Sequence, residues 1–92
     1  AWIHSPEDGA AAFAAIGNQP AVAEQGVAFE AEFSVILART AEGEIACFDS
    51  SRNTHEGGIL RRSALPAGAL VEAQVPAARD MAARIAEALG HV

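Results

Sequence analysis

From Phe29 to Leu37 every second residue is apolar: Phe29, Ala31, Phe33, Val35 and Leu37. Glu30, Glu32, Ser34, Ile36 and Ala38 take the positions between and just beyond. A helix cannot bury such a set on one side, whereas a strand does so at every alternate residue. This run predicts a half-buried strand over Phe29–Arg39 and requires the rest of the chain to pair with it. Glu30 and Glu32 fall on its polar face, where alternate side chains stand roughly 6.6 Å apart. Just upstream, Gln25-Gly26 suits a bend that would bring backbone groups near those acids.

The neighbouring segments supply partners. Glu44–Ser50, with Ile45, Cys47 and Phe48, predicts a returning antiparallel strand. Thr40–Gly43 carries a glycine where a short hairpin needs a positive φ. Ser51–Gly58 is polar and reads as a loop or an irregular continuation of the strand. Ile59–Leu65 predicts a third strand, closed by Pro66 and Gly68, with Arg61 or Arg62 paired to an acid across the sheet. Pro20–Glu24 reads as a short strand before the bend.

Helices are expected at both ends. Ser5-Pro6-Glu7-Asp8 combines a capping hydroxyl, a first-turn proline and two acids at the positive end of the helix dipole. An alanine-rich helix through Ile16 follows, stopped by Gly17-Asn18, and Gly9 costs it about 1 kcal/mol against alanine. Pro76 opens a second helix, Val75–Leu89, ended by Gly90. Ala78, Met81, Ala82, Ile85 and Leu89 trace its apolar stripe, with Arg79, Asp80, Arg84 and Glu87 outside and Asp80 and Arg84 paired. The fold class is therefore α+β, antiparallel strands with flanking helices.

Ninety-two residues suffice for one small domain. The net charge of −6 and a pI near 4.8 argue against a nucleic-acid-binding basic surface, and all six basic residues are arginines. No apolar run approaches the length of a membrane span. One cysteine, Cys47, cannot form an internal disulfide and reads as a small hydrophobe, with a reducing cytoplasm the default setting. The chain opens without methionine and closes just past a helix, as expected of a piece of a longer protein.

Three stretches offer polar chemistry. Glu24-Gln25-Gly26-Val27 is either a turn with a solvated acid or a hinge facing a ligand. Glu30 and Glu32 are either a wet face or acceptors for a bound group. His55, in Asn53-Thr54-His55-Glu56-Gly57-Gly58, is either exposed or a ligand contact. No histidine and cysteine set has zinc spacing, and neither G-x-S-x-G nor a phosphate-cradling glycine loop occurs.

In order and spacing, Glu24-Gln25-Gly26-Val27, Phe29-x-x-Glu32-x-Ser34-Val35 and Asn53-x-His55-x-x-Gly58-Ile59-Leu60 resemble the ATP-grasp ligases. Within them the likeness is to the synthases that carboxylate aminoimidazole ribonucleotide in purine biosynthesis. It extends over most of residues 5–92. The resemblance implies that residues 1–27 end the small ATP-grasp subdomain and its hinge, and that 28–92 begin the second subdomain. It implies that Glu24 takes the adenine amino group, that backbone around Gln25, Gly26 and Val27 reads the purine edge, and that Glu32 holds the ribose hydroxyls. His55 would also touch the nucleotide.

The same resemblance implies ATP and magnesium as cofactors. Bicarbonate, activated as carboxyphosphate, and aminoimidazole ribonucleotide would be the parent enzyme's substrates, and a homodimer its assembly. The phosphate loop and the magnesium acids of that family would lie outside these residues, so the chain alone is expected to be inactive. The rival readings are another ATP-grasp ligase, such as the formate-dependent glycinamide ribonucleotide transformylase, and a small non-catalytic interaction module.

Overall fold

The structure, a computed structural model, describes residues 1–92. In chain order it contains α1 (Asp8–Ala15), β1 (Glu32–Phe33), β2 (Leu37–Arg39), β3 (Ile45–Cys47), β4 (Arg52–Glu56), β5 (Ile59–Ala64), α2 (Ala69–Glu72) and α3 (Val75–Ala88). The strands form two antiparallel sheets, β1-β4-β5 and β2-β3. The expected α+β class, antiparallel strands with flanking helices, is what the chain adopts.

The long alternating run does not remain one strand. Its first part, β1, pairs with β4, and its second part, β2, pairs with β3. Between them the backbone crosses from one sheet to the other, bonded on one side by Ser34 N–H to Ser51 O at 3.3 Å. On the other side Phe48 N–H donates to Ile36 O at 3.0 Å. Alternation survives the crossing, since Val35, Leu37 and Arg39 are half-buried while Ile36, Ala38 and Thr40 are exposed. The expected hairpin is present with Leu37 opposite Cys47 and Arg39 opposite Ile45. Gly43, at φ +92°, and the bond from Thr40 N–H to Glu44 O at 2.9 Å close its loop.

Ser51–Gly58, a loop or irregular continuation by sequence, holds a regular strand. β4 is the middle strand of its sheet, although none of its five residues is apolar. Gly57 and Gly58 both have positive φ, which makes the two-residue turn that joins β4 to β5. Thr54 pairs with Arg62 and His55 with Leu60, so Arg61 is the extra residue of a bulge. Neither Arg61 nor Arg62 forms the expected ion pair, and both are exposed.

Pro20–Glu24 is not a strand in this structure, because no segment of the chain offers it a ladder. The α1 cap also differs from expectation. Ser5 does not cap; instead Asp8 Oδ2 accepts the backbone N–H groups of His4 and Ser5, each at 3.0 Å. Glu7, fully exposed, has its carboxyl held below the usual range by a backbone hydrogen bond and then by the Ser5 hydroxyl.

α3 matches the expected span, but it packs on a different face. Val75, Ala78, Arg79, Ala82, Ala83 and Ala86 turn inward, whereas Met81, Ile85 and Leu89 are exposed. The alanines allow close approach to the sheet side. Arg79, placed outside by the sequence pattern, donates from its guanidinium to Phe48 O at 3.1 Å. Asp80 and Arg84 do not pair. A short helix without a sequence forecast, α2, delivers Val71, the most buried large side chain, at 1% exposure.

The core is small. Ser50, Ala67, Val71 and Ala86 are the buried residues, and large apolar side chains from Trp2 to Val92 remain open. The radius of gyration is 17.1 Å, against about 12 Å for a closed domain of this length. No helix is long and apolar enough to cross a membrane.

Candidate functional site

The three-stranded sheet has one polar face. Glu32 on β1 lies directly opposite Asn53 on β4, which in turn lies opposite Ser63 on β5. Two residues along each strand, Ser34, Ser51 and His55 share that face by the period of the strand. His55 is therefore diagonal to Glu32, and its Nδ1 stands 3.1 Å from Glu32 Oε2. With the proton on Nδ1 the ring donates to the carboxylate and keeps an acceptor at Nε2. Both side chains are about one-third exposed, at 39% and 33%, so the pair is accessible to a ligand. The sequence named both residues but gave no local reason for them to meet.

Asn53 is the centre of the same face. Its amide bonds Ser34 Oγ at 2.6 Å, Ser51 Oγ at 3.1 Å and Ser63 Oγ at 2.9 Å. In the sequence Asn53 stands out only as part of the motif Asn53-x-His55-x-x-Gly58. The alternation Ser51-x-Asn53-x-His55 was the signal that these side chains share a face with Glu32 and Ser34.

Residues 24–26 form a separate group. Glu24, Gln25 and Gly26 line a recess together with Trp2 and Val22. A larger apolar cavity of about 480 Å³ adjoins it, bounded by Trp2, Ile3, Phe13, Ile16, Val22 and again Glu24 and Gly26. Gly26 is a close-approach position: an added Cβ would meet the Trp2 ring at 2.9 Å. The indole lies nearly parallel to the His4 ring, with centroids 6.4 Å apart. Val27 is largely exposed. The cavities that Glu24 and Gly26 line include neither Val27 nor Glu32 nor His55, so of the six sequence-named residues Glu24, Gln25 and Gly26 share one recess, Glu32 and His55 share the sheet face, and Val27 joins neither.

The donor set suits a nucleoside more than a metal. An accessible carboxylate beside an imidazole can accept vicinal hydroxyls, and an apolar recess with open backbone edges can take a flat base. Three or more His, Cys, Asp or Glu side chains do not converge anywhere to hold an ion.

Residues 1–92 match the family model for the ATP-grasp domain. An N5-carboxyaminoimidazole ribonucleotide synthase from Brucella melitensis is 46% identical over 81 residues, 88% of this chain and 22% of that protein. Proteins of the same name from Pseudomonas aeruginosa and Bacillus subtilis are 32% and 38% identical, over 98% and 77% of this chain. The chain spans 24% and 18% of their respective lengths. No solved structure matches.

Proposed function

This chain belongs to the ATP-grasp family, and from that premise we propose that it forms the nucleoside-binding part of a cytoplasmic carbon–nitrogen ligase. The reaction proposed for the whole enzyme is the ATP-dependent carboxylation of aminoimidazole ribonucleotide with bicarbonate. The relatives that match nearly all of this chain carry the name of such a synthase, which supports that substrate class. Residues 1–27 would end the small subdomain and the hinge, and residues 28–92 would begin the second subdomain. The parent would be a homodimer.

The observation that carries the reading is the 3.1 Å contact between His55 and Glu32 on an accessible polar face. In the proposed site Glu32 accepts the ribose hydroxyls, and His55, bonded to the same carboxylate, holds it in place and faces the nucleotide with its second nitrogen. Glu24 and the backbone of Gln25, Gly26 and Val27 take the adenine edge in the recess beside Trp2. ATP supplies the phosphoryl group that activates bicarbonate. In this reading the phosphate loop and the acids that would hold magnesium belong to other parts of the parent enzyme, and these 92 residues contain no lysine and no convergent acid set.

The test is nucleotide affinity in the full-length enzyme. Glu32→Ala removes hydrogen bonds to a charged acceptor, so the ATP Kd should rise roughly 10- to 100-fold. The Kd for 2′,3′-dideoxy-ATP, which lacks the hydroxyls, should stay within about twofold. Equal losses for both nucleotides would remove the ribose role of Glu32.

A further inference from the structure

We propose that Asn53 is a positioning residue that fixes β1 against β4 and so holds Glu32 in the geometry that takes the ribose hydroxyls. The inference rests on the ribose reading of Glu32 above, and it assigns a role to Asn53, whose side chain bonds Ser34, Ser51 and Ser63 and not Glu32.

Little backbone holds β1. It is two residues long, at the edge of its sheet, with only Glu32 and Phe33 paired to β4. Immediately beyond, the chain leaves for the other sheet. Beyond that pair, the backbone bond that ties this segment to the β4 side is Ser34 N–H to Ser51 O, at a long 3.3 Å, so side-chain bonds carry much of the remaining restraint. The shortest side-chain bond on this face is Asn53 Nδ2 to Ser34 Oγ at 2.6 Å, joining the central strand to the residue where β1 departs. Ser34 is two residues from Glu32, so this bond and the Glu32–Asn53 pairing fix both the height and the facing of the Glu32 backbone.

The other two bonds of Asn53, accepted by its Oδ1 from the Ser51 and Ser63 hydroxyls, hold its amide plane still, and the one from Ser63 links β5 to β4. The β4-β5 hairpin does not depend on them, because five residue pairs and a two-glycine turn already define it. Asn53 is therefore dispensable to the hairpin and needed by β1. His55 restrains the Glu32 carboxylate from one side, and Asn53 restrains the backbone beneath it.

The experiment measures Kd for ATP and for 2′,3′-dideoxy-ATP in the full-length enzyme, comparing wild type, Glu32→Ala, Asn53→Ala and the double variant. Asn53→Ala should weaken ATP roughly three- to tenfold and leave the dideoxy nucleotide within about twofold. The double variant should bind ATP no more weakly than Glu32→Ala alone, as expected when one residue acts through the other. A merely structural role would weaken both nucleotides together, and that outcome overturns the inference. So does an Asn53→Ala enzyme with unchanged discrimination while Glu32→Ala has lost it, which leaves the ribose reading intact. If Glu32→Ala itself keeps full discrimination, the ribose reading and this inference fall together. Should Asn53→Ala fail to fold, Ser34→Ala deletes only the 2.6 Å bond, and the same ratio decides.

Discussion

Residues 1–30 and residues 31–92 are held together on different scales. In the first region side-chain hydrogen bonds reach no further than four residues along the chain, from Asp8 back to His4 and Ser5 and from Gln19 to Gly17. α1 buries no residue. In the second region the bonds reach across sheets and helices: Glu32 to His55, Ser34 to Asn53, Phe48 to Arg79 and Arg39 to His91. All four buried residues lie there. The two halves of the proposed nucleotide site inherit this difference. The Glu32–His55 half is built by strand pairing, and the hinge half is presented on a locally ordered, uncovered surface.

The sharpest way to break this comparison is to delete buried volume on one side and exposed volume on the other. Val71→Ala removes two methyl groups from the most buried side chain and should cost about 2 kcal/mol, transfer and cavity terms together. Val22→Ala makes the same chemical change at an 85% exposed position and should stay within about 0.5 kcal/mol. Thermal unfolding followed by circular dichroism reads both. Similar losses would mean that residues 1–30 share one core with the rest.

How legible each region was follows from the same scale. The Leu37–Cys47 hairpin was readable because its signals are local: alternation on both arms and a glycine at the turn. The ends of α3 were readable from Pro76 and Gly90. Its packed face was not, because the pattern of Met81, Ile85 and Leu89 records which side is apolar, whereas close contact followed the alanines. β4 was missed as a regular strand because Arg52-Asn53-Thr54-His55-Glu56 has no hydrophobic period; pairing on both edges makes it a strand. The crossing of Phe29–Arg39 between two sheets was equally invisible, since alternation continues through it. At the site, composition and spacing left Glu32 and His55 as open alternatives. The family resemblance implies that both touch one nucleotide, and strand register explains how residues 23 apart meet.

The same contrast of long-range and local contacts runs through α3. Arg79 and Arg84 looked alike in sequence, both on a polar face. Arg79 ties the helix to Phe48 O and has its Nε buried without a partner, while Arg84 is exposed and unpaired. Arg79→Ala should therefore cost about 1.5 kcal/mol, from the lost charge-assisted bond and stem packing, offset by relief of the orphaned Nε. Arg84→Ala should change stability by less than about 0.5 kcal/mol. Urea midpoints at constant m-value separate these outcomes. Equal effects would place Arg79 outside the long-range set.

The smallest effects come from two glycines that are special for different reasons, one in each region. Gly58 has φ +76° with open space around a prospective Cβ, so Gly58→Ala meets only backbone strain, about 1 kcal/mol. Gly26 has no left-handed φ, and its constraint is the Trp2 ring 2.9 Å from a prospective Cβ. That ring is 74% exposed and belongs to the locally held region, so it can move aside. Gly26→Ala should leave global stability within about 0.5 kcal/mol while shifting the emission of Trp2, the sole tryptophan of the 92 residues. A stability loss as large as that of Gly58→Ala would show that Trp2 is anchored, and the hinge recess would then be as rigidly built as the Glu32–His55 face.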